Sequence, residues 1–419
     1  MIFLKEAKNS EPADRKKVSE QVAALLDMVK QGGDRAIIEL TRKFDGVDVD
    51  RIRVDRSELD KAYESIDTQT VESLKFAAEQ IRFFSSRQLE CLKPLECQNL
   101  PGVTLGHRLI PIESCGAYVP GGRYPLPSSA LMSVIPAKVA GVKRIAACSP
   151  PSREFGGIHP AVLVALDIAG ADEIYCLGGV QAVAAFAYGT ESVKRVDVIV
   201  GPGNRYVTEA KRQVSGEVGI DMLAGPSEVL IIADDTADPR FIALDLLAQS
   251  EHDPSARGIL VTTSRLLAEE VQIIIRRELE KLPTAETASK SWEDNGLIIL
   301  AASLEEAVEI SDAFAPEHLE IHTIRDEELA LRVRNFGALF IGQYASESFG
   351  DYVAGSNHIL PTMGCARFSN GVWPGTFLKV ASYQQVTREG AALLYQHSAR
   401  LAGVEGLAAH RRAALLRGE

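Results

Sequence analysis

Three stretches of this 419-residue chain carry side chains whose types and spacing suit chemistry on a bound ligand. The first is a mostly apolar segment after Asp238-Pro239, a pair suited to the N-cap and first position of a helix. Along it Asp245, Gln249 and His252 fall at i, i+4 and i+7, a polar stripe on an otherwise buried helix. Such a stripe costs free energy unless it is hydrogen-bonded or binds something. Gln249 and His252 can offer an amide oxygen and an imidazole nitrogen to one metal ion; an Asp–Gln–His network in the core is the structural alternative. The second stretch is Pro316-Glu317-His318-Leu319, where a strand begins. A Glu–His pair supplies two proton-transfer groups of different basicity, and at a strand's first residue both can reach a cleft at the sheet edge. His322 shares a strand face with His318 and reads as a surface or packing residue; Leu319-Glu320-Ile321 is strand-like, so the two histidines are not the helical H-E-x-x-H of metalloproteases. The third stretch runs from Glu347 to His358, a Gly-rich polar loop placed after a strand at 338–341, where sheets of this kind hold ligands. Asp351 or His358 could complete a site begun by Gln249 and His252; taken alone, the segment is a polar surface loop.

Three glycine-rich turns could receive phosphate: Gly178-Gly179 before the helix holding Gln181, Gly201-Pro202-Gly203-Asn204, and Pro120-Gly121-Gly122. Free N–H groups at a helix start favour an anion, and glycine lets the backbone approach it. None matches the six-residue G-x-G-x-x-G dinucleotide fingerprint, and each alone is equally an ordinary tight turn.

The elements that must position these residues can be read from periodicity. Segment 16–30 has Val18, Val22, Leu25, Leu26 and Val29 at helical spacing, and Gly32-Gly33 is expected to stop it. A second amphipathic helix is expected over 68–87. From Gly102 onward, short β-branched runs alternate with helices: strands at 144–148, 173–177, 196–200, 228–233, 258–263, 297–301, 319–323 and 338–341. This alternation predicts an α/β fold with mainly parallel sheet, as two tandem Rossmann-like, doubly wound modules over 102–235 and 236–380. A helical amino-terminal region (1–101) is expected to pack on the second module. A helical tail (381–419) is too short to stand alone and needs a partner's apolar surface.

Composition narrows the function classes. Hydrophobic residues make up 46% and charged residues 24%, as in ordinary globular proteins. A formal net charge of −12 argues against nucleic acid as a partner. No apolar run approaches the roughly 20 residues of a membrane helix, and the first residues lack a signal-peptide pattern, so the expected location is cytoplasmic. The six cysteines form no C-x-x-C pair, which leaves His, Asp, Glu or Gln to hold any metal.

Taken together, these stretches resemble the histidinol dehydrogenase family. The resemblance is carried by YVPGGRYPLPSSALM from Tyr118, LGGVQAVAAFAYGT from Leu177, GPGNRYVTEAKRQV from Gly201, AGPSEVLIIA from Ala224, LAQSEH from Leu247, PEHL from Pro316, GDYVAGSNHILPT from Gly350 and EGLAAHRR from Glu405. It implies one zinc per subunit, held by Gln249, His252, Asp351 and His410, and NAD contacted by Tyr118, Gln181 and Asn204. Ser227, Glu317, His318, Tyr352, His358 and Glu405 would surround the substrate together with the metal-binding residues. The family is homodimeric with shared active sites, so Glu405 and His410 would serve the partner's. The implied reaction is a four-electron oxidation of L-histidinol to L-histidine with two NAD, His318 accepting the alcohol proton and Glu317 activating water on the aldehyde. A related branch oxidises sulfonated propanediols. Arg123, beside Gly121-Gly122, suits an anionic substrate of that kind and keeps another polar alcohol as the alternative.

Overall fold

The computed structural model describes residues 2–8, 15–121 and 124–419. Along the chain, β1 (Ile2–Lys5) precedes three helices, and β2 (Leu95–Leu100) and β3 (Val103–Pro111) follow them. β4 (Ser114–Tyr118), β5 (Arg144–Ser149), β6 (Glu173–Cys176), β7 (Val198–Val200) and β8 (Gly219–Ile220) alternate with helices. So do β9 (Glu228–Ala233), β10 (Arg257–Thr262), β11 (Leu297–Leu300), β12 (His318–His322) and β13 (Ala338–Ile341); β14 (Leu378–Val386) opens the tail.

The first parallel sheet has the order β6-β5-β4-β7-β8 and the second β1-β11-β10-β9-β12-β13, in which β1 alone runs antiparallel. Counted within each run, both read 3-2-1-4-5, so the order reverses beside the first strand, β4 or β9. Helices cover the sheet faces, which is why β9 (EVLIIA) is buried along its whole length with hardly a polar residue.

The amino-terminal helices pack mainly on the first sheet's module, and helix Thr68–Glu90 also packs on Ile359, Val372 and Phe377 of the second. Val22, Leu26, Val29, Ile37 and Leu40 of helix Arg15–Asp45 join Val183, Phe186 and Ala210 in one core. Leu74, Ala77 and Ile81 of helix Thr68–Glu90 join Val134, Ile135 and Val162 in another. The reason is compositional: Pro160–Ala169 and Gly179–Tyr188 are almost wholly apolar helices and need cover on their outer faces too. Among the described residues of the amino-terminal region, β1 pairs with the second sheet and Ala7 packs on its core. Gly33 does not end the first helix: it kinks it at φ 55°, and helical structure resumes as far as Asp45.

A three-stranded antiparallel sheet, β14-β3-β2, replaces part of what the periodicity assigns to helix at both ends of the chain. β2 and β3 form a hairpin about Pro101-Gly102, with Gly102 at φ 75°. β2 is exposed along its length, so no alternation of apolar residues marks it as a strand. Beyond β14, helices Arg388–Val404 and Ala408–Leu416 pack on each other.

Candidate metal and active site

β12 builds the site from its pleat. Leu319 and Ile321 point into the apolar core of the second sheet, so His318, Glu320 and His322 share the opposite face. Helix Pro239–His252 lies over the second sheet with Ile242, Ala243, Leu246 and Leu247 in the core. Asp238 caps its start by accepting from Arg240 N–H. Asp245 and Gln249 of this helix are buried, Gln249 at 0% exposure, while His252 is exposed at its carboxyl end. Residues Glu347–Tyr352, expected as loop, form a short helix capped by Ser346, with Glu347 and Asp351 buried one turn apart. His322, expected on the surface or in simple packing, is 1% exposed beside Glu320.

The site also sits at the other end of the second sheet from the one the loop reading implied. β9 and β12 begin at Glu228 and His318, so the cluster gathers at their amino ends. The reason is that helices 239–252 and 347–352 each run back along the sheet before presenting their side chains. Facing them is the first turn of helix Pro127–Ala140, which follows β4: Ser129 Oγ lies 3.0 Å from His358 Nε2. The carboxyl edge of one sheet thus meets the amino edge of the other.

Distances within the cluster are short. His318 Nε2 is 3.6 Å from Asp351 Oδ1, and its Nδ1 is 3.7 Å from both Glu347 and Glu317 carboxylate oxygens and 3.2 Å from the Glu228 carbonyl. Glu317 Oε2 accepts from Ser227 Oγ at 2.6 Å and Glu228 N–H at 2.9 Å. His358 Nδ1 lies 3.0 Å from the Asp351 carbonyl. Ligand atoms of His252, Glu347 and Asp351 all lie within 4.8 Å of one another. Both polar atoms of the Gln249 amide, His318 Nε2, Glu347 Oε2 and Asp351 Oδ1 are buried with no hydrogen-bond partner. Each orphan costs about 1–3 kcal/mol unless something binds it.

Electrostatics follows from this crowding. Burial pushes Glu317 up to about 7, partly offset by His318 and the hydrogen bonds from Ser227 and Glu228. Burial alone would lower His318; the carboxylates of Glu347, Glu317 and Asp351 overcome it and hold the imidazole well above its ordinary pKa. Burial likewise opposes ionisation of Asp351, yet His318, His358 and His252 hold it down to about 2. Groups driven this far apart within one buried cluster make it the candidate functional site.

The other expected residues distribute as follows. Tyr118, Gln181 and Asn204 lie at the carboxyl ends of the first sheet, beside the order reversal at β4. Tyr118 Oη accepts from Gly179 N–H at 3.2 Å, and Gln181 is 2% exposed. Asn204 Oδ1 is engaged as an N-cap, accepting from Tyr206 and Val207 N–H. Gly201 (φ 117°) lets the chain pass Tyr118, whose carbonyl oxygen would lie 2.0 Å from an added Cβ. Tyr352 is half-exposed beside Asp351. Glu405 and His410 are exposed on the tail and are not brought to the cluster within one chain. Gly122 and Arg123 lie outside the described residues. Cys115 and Cys148 are fully buried with thiols pushed far up by burial, the reverse of what a nucleophile needs.

Glu228, Ser129, Glu347 and Glu320 belong to the site or its support and were not singled out by sequence. Glu347 stands four residues before Asp351 and shares its helical face, a spacing visible only once 347–352 is read as helix. Glu320 alternates with His318 and His322, and this period of two was already legible.

Two sheets meeting at buried imidazole, carboxylate and amide groups define a mixed α/β protein with a cluster of candidate metal-ligand and acid–base side chains. The chain belongs to the histidinol dehydrogenase family of oxidoreductases, which it matches over residues 8–418. It is 49% identical over 389 residues to the histidinol dehydrogenase of Methanothermobacter thermautotrophicus, covering 93% of this chain and 91% of that one. A histidinol dehydrogenase homolog of Shouchella clausii is 46% identical over 96% of this chain and 94% of its own length. The crystal structure of histidinol dehydrogenase from Elizabethkingia anophelis superposes with a TM-score of 0.92 at 36% identity, covering 98% of this chain and 94% of that one.

Proposed function

We propose that this protein oxidises L-histidinol through L-histidinaldehyde to L-histidine, as a cytoplasmic, zinc- and NAD-dependent homodimer in histidine biosynthesis. The observation that carries the reading is the set of orphaned buried donors around His252, Glu347 and Asp351, with Glu317 and His318 alongside. Amide, imidazole and carboxylate donors suit zinc with positions left open. Gln249, His252 and Asp351 would hold it, completed by His410 of a second copy, with Glu347 adjoining. The two sheets read as tandem Rossmann-like modules; NAD belongs at the first, over the glycine turns beside Tyr118, Gln181 and Asn204.

Zinc would fix the substrate's amine and imidazole beside the reacting carbon, and NAD would accept hydride. The chain's own residues supply the rest. His318 takes the alcohol proton in the first oxidation, from a position fixed by the Glu228 carbonyl. Glu317, held by Ser227, draws a proton from water attacking the aldehyde in the second. Ser227, Tyr352, His358 and the partner's Glu405 line the substrate.

The test is NADH formation from L-histidinol by zinc-loaded protein, beside a chelated sample. Two NADH per histidinol, abolished by chelation, is the expected result. A folded, metal-loaded dimer that ignores histidinol and turns over a sulfonated propanediol would transfer the same chemistry to that substrate.

A further inference from the structure

Behind the site just described, the polar face of β12 continues into a second cluster that the oxidation does not use. Ligand atoms of Asp245, Glu320 and His322 lie within 4.8 Å of one another. All three residues are buried: Glu320 is 0% exposed, His322 1% and Asp245 8%. His322 Nε2 is 3.2 Å from Glu320 Oε2, yet the contact is not aligned as a hydrogen bond. Glu320 Oε2 and both ring nitrogens of His322 consequently have no hydrogen-bond partner. Among the described residues, no lysine or arginine forms an ion pair with either carboxylate.

We propose that Asp245, Glu320 and His322 form a second metal site, distinct from the one at His252 and Asp351, for a divalent first-row cation such as zinc. Two carboxylates and a neutral imidazole cancel the charge of a dication, which resolves the cost of burying them. One imidazole nitrogen and two carboxylate oxygens are a donor set such ions accept. The carboxylates are also oriented from behind, as ligands are. Ser346 Oγ donates to Asp245 Oδ1 at 2.8 Å, and Glu347 N–H donates to Glu320 Oε1 at 2.9 Å, leaving Glu320 Oε2 free to ligate. Burial and the neighbouring Glu320 charge push Asp245 up to about 7, with Ser346 and His322 only partly offsetting them. The ion would tie β12 to helix Pro239–His252, and so fix His318 and Gln249 relative to each other.

Metal content decides the matter. Full-length protein is stripped with chelator, reloaded with excess zinc alone, desalted, and its zinc measured per chain. Two zinc ions per chain are expected in the wild type, falling to one in Glu320→Gln and in His322→Phe. One ion in the wild type, or two retained in both variants, overturns the second site. Should those buried variants fail to fold, the double variant His252→Ala with His410→Ala, altered at two exposed positions of the first site, serves instead: one ion retained supports the second site, and none overturns it.

Discussion

A carboxyl that burial pushes to about 7 is half-protonated at neutral pH, so in the role proposed for it Glu317 can act as a base only as pH rises past that value. The sign is fixed by the direction of the shift: below it the proton stays on Glu317 and water is not activated. Aldehyde oxidation is therefore expected to rise with pH through about 7 in the wild type. Glu317→Gln should lose that limb and fall by roughly 100-fold or more in aldehyde oxidation, while the first oxidation falls far less. Equal losses in both half-reactions, measured by single-turnover NADH formation, would remove Glu317 from this role. His318 presents the complementary case. Glu347, Glu317 and Asp351 hold it protonated, and a base must begin without its proton. A cation among Asp351 and Glu347 would cancel the field that raises it, so the same carboxylates that would hold the metal make His318 a base only when the metal is bound.

At the scale of elements, helix Arg205–Val214 separates a structural duty from a chemical one. Asn204 caps it through two backbone N–H groups and also stands where NAD is proposed to bind. Asn204→Ala should cost about 1 kcal/mol of stability from the lost cap and also raise the KM for NAD. Asn204→Asp keeps the cap, so its stability should stay near wild type while its added negative charge raises the KM for NAD. Thermal unfolding and NAD titration of both variants check the pair; an unchanged KM in both would leave Asn204 a cap alone. Elements of this kind were largely legible. β9 and β13 fall on the expected residues: β9, buried along its whole length, writes a continuous apolar run into the sequence, and β13, a partly buried edge strand, is a short apolar run after Gly337. Gln249 and His252 were legible as a polar stripe on an apolar helix. What escaped was structure without an apolar signature: β2 is exposed throughout, and Glu347–Tyr352 is too short to show a period. His322 stood open between surface and packing and is buried: a histidine on a strand face looks alike whether it meets solvent or a buried carboxylate, and only the helix packed over it decides.

At the scale of the whole molecule, the tail is the part that one chain leaves unaccounted for. Leu401, Val404 and Leu416 are 66%, 83% and 64% exposed, a density of apolar surface that calls for a covering partner. His410 is exposed on the same tail, and it is the residue proposed to join Gln249, His252 and Asp351 from a second copy. A two-fold dimer in which each tail reaches the other chain answers both needs, and it makes a prediction that a self-contained site does not. His252→Ala and His410→Ala should each lose the zinc of this site, and activity with it, on their own. In a mixed dimer of the two, one site carries both defects and the other carries neither. Co-refolding equal amounts should therefore restore about a quarter of wild-type activity, since half the dimers are mixed and each has one intact site of two. If His410 completes the site of its own chain, every site in the mixture carries one defect and no activity returns.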